Sequence, residues 1–208
     1  MIDGYTIFLN NFNITEDEFI DFGINGIIWP SIEKIDEEWL KLKNKINNHE
    51  ELTIRKYAQD KVKAADFNKI IEAIFDCHIY SDGTGNNKPQ KMIERLTGYV
   101  RNKTIFNYQV SHIFGMTKNP YLFECPWNVL LIPKMFDPLT GHESIGNLTE
   151  KFKKTLQDEV VTRYHKYIED YNKEMENVAE KRDNIIETWG INSKMKNEIE
   201  KNICPIKF

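Results

Sequence analysis

Cysteine is scarce. Cys77, Cys125 and Cys204 are widely spaced and odd in number, and no Cys-x-x-Cys pair occurs. That argues against a disulfide framework and a structural zinc ribbon, and it suits a reducing cytoplasm. Cys77 beside His78 reads as a small hydrophobe next to a solvated imidazole. Long apolar runs are missing too: nothing approaches the ~20 residues needed to cross a bilayer. The opening MIDGYTIFLNNFNITEDEF has no basic n-region and no apolar h-region, so it does not read as a signal peptide. Internal repeats and low-complexity linkers are also absent. The expectation is a soluble, cytoplasmic protein with no membrane partner.

What is present suffices for a folded core. Of 208 residues, 40% are apolar and 29% charged, and twelve Phe, nine Tyr and four Trp supply bulk. The net charge of −4 does not by itself suggest a nucleic-acid partner, but its distribution does. Between Asn86 and Lys134 there are seven basic residues against two acidic ones, a local +5 that leaves −9 for the rest. Such a patch is an electrostatic footprint for phosphates, or a solvated face.

Along the chain, Tyr5 to Leu9 reads as a short strand. Thr15 and Glu18 form a capping box that starts a helix. After the break at Trp29-Pro30, Ser31 or Asp36 caps a helix carrying Trp39, Leu42 and Ile46 at helical spacing. A further helix is expected from Asp60 to about Ile79, with Val62, Phe67, Ile70, Ile71, Ile74 and Phe75 on its apolar face. A loop spans Tyr80 to Pro89, and a short helix runs from Gln90 to Tyr99. Ile105 to Phe114 is β-branched and aromatic, a strand leading into a loop. A second apolar run, Trp127 to Ile132, ends at Pro133, and Asp137 to Gly141 is a turn. From Glu143 or Asn147 to Glu187 a long amphipathic helix is expected, with a short one near Lys194 to Ile203. Its apolar stripe from Leu148 to Val178 serves either the core or a homodimer seam.

The chemistry lies between Tyr108 and Ser144. His112 ends a strand-like run, Asn128 follows Trp127, and His142 precedes a helix, at spacings of 16 and 14 residues. Phosphodiester hydrolysis needs a base for water, a cation for the developing charge, and a group that orients the base. A neutral His titrates near physiological pH, a second His with an oxygen ligand can hold a metal, and an Asn amide can fix an imidazole tautomer.

In this order and setting, Ser111-His112-Ile113-Phe114-Gly115, Pro126-Trp127-Asn128 and Thr140-Gly141-His142 resemble the HNH, or ββα-metal, nuclease motif of some restriction and defence enzymes. The resemblance implies that His112 is the general base, that Asn128 orients it and braces the hairpin, and that His142 ligates Mg²⁺ or Mn²⁺. It covers residues 108–144 and departs from the pattern twice. Ser111 stands where many members carry a metal-binding Asp or His, which makes Asp137 and Glu143 the nearest candidate carboxylates. The stretch from Asn128 to His142 is longer than in compact motifs, with Pro133 and Pro138 in it.

The expected fold is α+β and mainly helical, with a small ββα-metal core over residues 105–147 between helical regions at 1–104 and 148–208. The expected partner is double-stranded DNA. Arg101, Lys103, Lys118 and Lys134 are the phosphate candidates, and Gln109 and Asn119 the base-contact candidates. The functional expectation is a type II-like restriction endonuclease. A nicking or non-specific defence nuclease, a decayed nucleic-acid-binding module and a helical scaffold are the competing readings.

Overall fold

The N-terminal segment shows how a local cap overrides an ambiguous apolar run. In the computed structural model, which describes residues 2–57, 61–83, 85–141 and 143–208, Tyr5 to Leu9 is not a strand. It lies in helix α1, Gly4–Phe12, because the Asp3 carboxylate accepts from the amides of Tyr5 and Thr6 and so satisfies the first turn. The capping box at Thr15 and Glu18 starts α2, Glu16–Asn25. Gly23 lets α2 lie close to its neighbours: a Cβ there would meet the Phe136 and Phe152 rings at 2.6–2.7 Å. Helix α3, Ile32–Asn47, has Ser31 at its N-cap position and buries Ile35, Trp39, Leu42 and Ile46.

The next stretch departs from expectation. Strand β1, Leu52–Arg55, and strand β2, Ile79–Asp82, pair in parallel from Leu52 with Ile79 to Arg55 with Asp82. Helix α4, Lys61–Phe75, is the crossover between them, as parallel strands require. The expected helix thus stops four residues short of Ile79, and Tyr80, Ser81 and Asp82 of the expected loop are strand. Asp82 then accepts from the amides of Asn87 and Lys88, which starts α5, Asn87–Thr97, three residues earlier than expected.

Strands β3, Tyr108–His112, and β4, Val129–Pro133, form an antiparallel hairpin with Tyr108 opposite Pro133 and His112 opposite Val129. Their connection holds a short helix α6, Pro120–Phe123, with Asn119 at its N-cap. A 3₁₀ turn, Asp137–Thr140, is closed by Gly141 at φ 93°, a conformation that favours glycine. Helix α7, Asn147–Thr188, follows, with a break at Tyr164 that no proline or glycine marks, and α8, Ser193–Asn202, is the last helix. One face of the hairpin packs Val110, Val129 and Leu131 on Met92, Ile93 and Leu96 of α5. Its other face gives Leu130 and Ile132 to a larger core shared by residues from all three expected segments. Leu148, Phe152, Leu156, Val160, Tyr164, Ile168, Tyr171 and Met175 of α7 are buried in that core, so the stripe is covered by the chain itself. No helix among the described residues is long and apolar enough to cross a membrane.

Polar ties hold α7 to the rest. Asp170 accepts from Trp39 Nε1 and Lys43 Nζ, both at 2.8 Å. Burial alone would raise the Asp170 carboxyl, but hydrogen bonds from Lys43 and Trp39 and the lysine charge outweigh it and hold it below its ordinary value. Glu198, paired with Lys118, is held down in the same way. A depressed carboxyl contributes stability that is present above its unfolded value and is lost as pH falls through its folded one. Thermal melts should therefore be flat down to roughly pH 4 and fall below it. Asp170→Asn should lower the neutral-pH melt and flatten the acid limb.

Candidate functional site

The β3–β4 hairpin sets His112 at the inner end of its first strand, 3% exposed and stacked on the Phe123 ring at 5.6 Å and 9°. Its Nε2 lies 2.9 Å from the Phe123 carbonyl. A carbonyl only accepts, so Nε2 carries a proton toward it. The tautomer is thus set by a backbone group, which no sequence motif could announce.

Asn128 is fully buried and both ends of its amide go to the backbone. Oδ1 accepts from Phe114 N at 2.9 Å, Nδ2 donates to Leu122 O at 3.1 Å, and its own carbonyl accepts from Ile113 N. It therefore ties the residues just after His112 to the peptide just before Phe123. Asn128 thus holds the segment whose next carbonyl accepts from the imidazole.

Ser111, one residue before His112, donates its hydroxyl to Asp137 Oδ1, 26 residues away. The structure so brings the hydroxyl in the ligand position of the motif against one of the two candidate carboxylates. Glu143 is exposed on the stretch before α7. His142 lies outside the described residues. Among the described residues no group of three or more His, Cys, Asp or Glu side chains is gathered. One carboxylate beside a hydroxyl still fits a hard divalent cation, because Mg²⁺ is typically bound through one or two carboxylates, with water and phosphate completing its shell.

The nucleic-acid candidates divide. Lys103 and Lys134 are exposed. Arg101 is half-buried, its guanidinium donating to Gln109 Oε1 at 3.0 Å and Gln90 Oε1 at 2.8 Å, so Arg101 and Gln109 act as one unit. Lys118 is corrected: its ammonium is half-buried against Glu198, and its backbone N–H donates to Asn202. Asn119 is also corrected. It is fully buried, capping α6 through Tyr121 N while Nδ2 donates to Asn202 O at 2.9 Å and Tyr171 Oη at 3.0 Å. The signal was in the sequence: Asn119-Pro120 is an N-cap followed by proline at the first helical position. Asn119→Ala should cost about 3 kcal/mol and lower the melt by about 10 °C, since it leaves buried partners unmatched. Any DNA affinity of the native chain should be unchanged in this variant below its melt, and a loss there would restore the base-contact reading. Arg95, on α5, forms a two-point pair with Glu38.

The fold defines an α+β, mainly helical protein in which an antiparallel hairpin feeds a long helix through a 3₁₀ turn. The chain belongs to the family described as Uncharacterised protein PM1201, whose model matches residues 30–207 and so includes the whole hairpin. A relative of the same description from Pasteurella multocida (strain Pm70) is 42% identical over 198 residues, which cover 95% of this chain and 90% of that protein. No solved structure matches.

Proposed function

We propose that the protein is an HNH-type, metal-dependent endonuclease that hydrolyses DNA phosphodiester bonds, most simply as a type II-like restriction enzyme. The observation that carries this reading is the hairpin-end imidazole, whose tautomer is set by the Phe123 carbonyl and whose supporting segment is held by Asn128. Hairpin, turn and helix follow in the order of a ββα unit, residues 108–112, 129–133 and 147–188.

In this reading His112 accepts a proton from water, while the Nε2–H bond to Phe123 stabilises the imidazolium that forms. The water oxygen then bonds to phosphorus as the bond to the leaving oxygen breaks. Asp137 with Ser111, His142 and Glu143 would hold Mg²⁺ or Mn²⁺, which would supply charge stabilisation on the phosphate and leaving oxygen. Lys103 and Lys134 contact backbone phosphates, with affinity falling as salt rises.

A second reading, a nucleic-acid-binding module without catalysis, is favoured by the burial of His112. Incubating the protein with plasmid and phage DNA in Mg²⁺ or Mn²⁺ separates the readings. Discrete fragments support the restriction enzyme, whereas nicks or smears keep the chemistry and remove the restriction role. DNA binding without any cleavage selects the module.

A further inference from the structure

Beside the hairpin lies a groove of about 380 Å³, lined by Asn86, Asn87, Gln90, Arg101, Gln109 and Val110. That volume is in the range of small-ligand sites. Its lining is carboxamide and guanidinium, with no carboxylate among the described residues that line it. Glu94 sits behind it, accepting from Gln90 Nε2 and from the Arg101 backbone N–H.

The hydrogen bonds fix which way the amides face. Arginine only donates, so Arg101 holds the Oε1 atoms of Gln90 and Gln109 toward itself. Gln109 is left to present its Nε2 amide. Asn86 Oδ1 accepts from Arg55 Nη2 at 3.4 Å, so Asn86 likewise presents its Nδ2 amide. Arg101 Nε is buried without a hydrogen-bond partner among the described residues. The exposed Lys88 and Lys91 stand on the same helix, α5. A groove whose uncommitted polar groups are mainly N–H donors suits a partner edge made only of acceptors.

We propose that this groove reads a base, taking the O6 and N7 acceptors of a guanine in the major groove through the Gln109 and Asn86 amides. The inference rests on the nuclease reading for its substrate. Guanine is the base whose major-groove edge offers two adjacent acceptors on one ring system, whereas adenine and cytosine put an amino donor there. Gln109 stands three residues before His112 on β3, about 10 Å along the strand at ~3.3 Å per residue. A guanine held there lies within about three base steps of the cut phosphate at 3.4 Å per step. Gln109 is thus a specificity residue, and Arg101 positions it.

The test is selection of bound duplexes from a randomised library by the full chain in metal-free buffer, followed by sequencing. Guanine should be enriched about tenfold or more at one position. Gln109→Leu and Asn86→Ala should each bring that position toward parity among the four bases. Asn86→Ala carries the test if Gln109→Leu does not fold, because Asn86 sits in a loop and the α5 cap is made by Asp82. Native enrichment of another base, no enrichment, or enrichment that survives both substitutions overturns the proposal. So does an equal affinity loss for all sequences with base preference intact, which marks a phosphate contact. The same duplexes with Mg²⁺ score catalysis separately: retained enrichment without cutting removes the nuclease reading and leaves the base-reading groove standing.

Discussion

On the proposed nuclease reading, His112→Ala is expected to lower the DNA-cleavage rate by roughly 10²–10⁴-fold, the range that a positioned general base contributes. The substitution also leaves the buried Phe123 carbonyl without its imidazole partner, so stability should fall by about 1–3 kcal/mol. That shifts the melt by several degrees in a chain of this size, roughly 2–4 °C per kcal/mol. Rates are therefore compared well below both melting midpoints, where the variant is folded and DNA binding can be matched. A folded variant that still cuts at the native rate would remove His112 from the chemistry. The burial of the imidazole adds a second observable: if the site opens to admit water and phosphate, amide protons around residues 112–114 should exchange faster than those of β4.

Asn128→Ala is expected to lower stability more than His112→Ala and about as much as Asn119→Ala. It strips the Phe114 amide and the Leu122 carbonyl of their partners in a region where Asn128 itself has no exposure. At about 1–3 kcal/mol for each unmatched group, and less for the half-buried Phe114, the loss is about 3 kcal/mol and the melt falls by about 10 °C. Cleavage should fall even at temperatures where the variant is folded, because the Leu122–Phe123 segment that sets the His112 tautomer is released. A melt within about 2 °C of native would mean that the brace is made elsewhere. Asn128→Asp separates the two amide ends, since a carboxylate can still accept from Phe114 N but cannot donate to Leu122 O.

The apolar stripe of α7 bears on assembly. It packs on the chain's own core, including Phe136, Trp127 and Tyr121, so a homodimer able to cut both strands would have to use another face.

Much of the fold was legible where the decisive contacts are local. The Thr15–Glu18 box, the spacing of Trp39, Leu42 and Ile46, and the long stripe from Leu148 all join residues within one or two helical turns. The two runs that pair as β3 and β4 were legible from β-branched and aromatic content between turn residues. Leu52–Arg55 and Ile79–Asp82 were not. Each is four residues long, and what makes it a strand is the other, across an intervening helix. The five apolar-rich residues from Tyr5 to Leu9 fit either period, and only the Asp3 carboxylate breaks the tie.

For the candidate site, sequence alone determined the chemical types and their order along the chain: Ser111, His112, Asn128 and His142. Tertiary structure decided which groups meet. It set Asp137 against Ser111, gave His112 to a backbone carbonyl, tied Lys118 to Glu198, and buried Asn119 under α7 and α8. The physical reason is range. Caps and periodicity act over a few residues and are written in neighbouring side chains. A backbone acceptor has no letter in the sequence, and partners 26 to 84 residues apart are chosen only when the core closes around them.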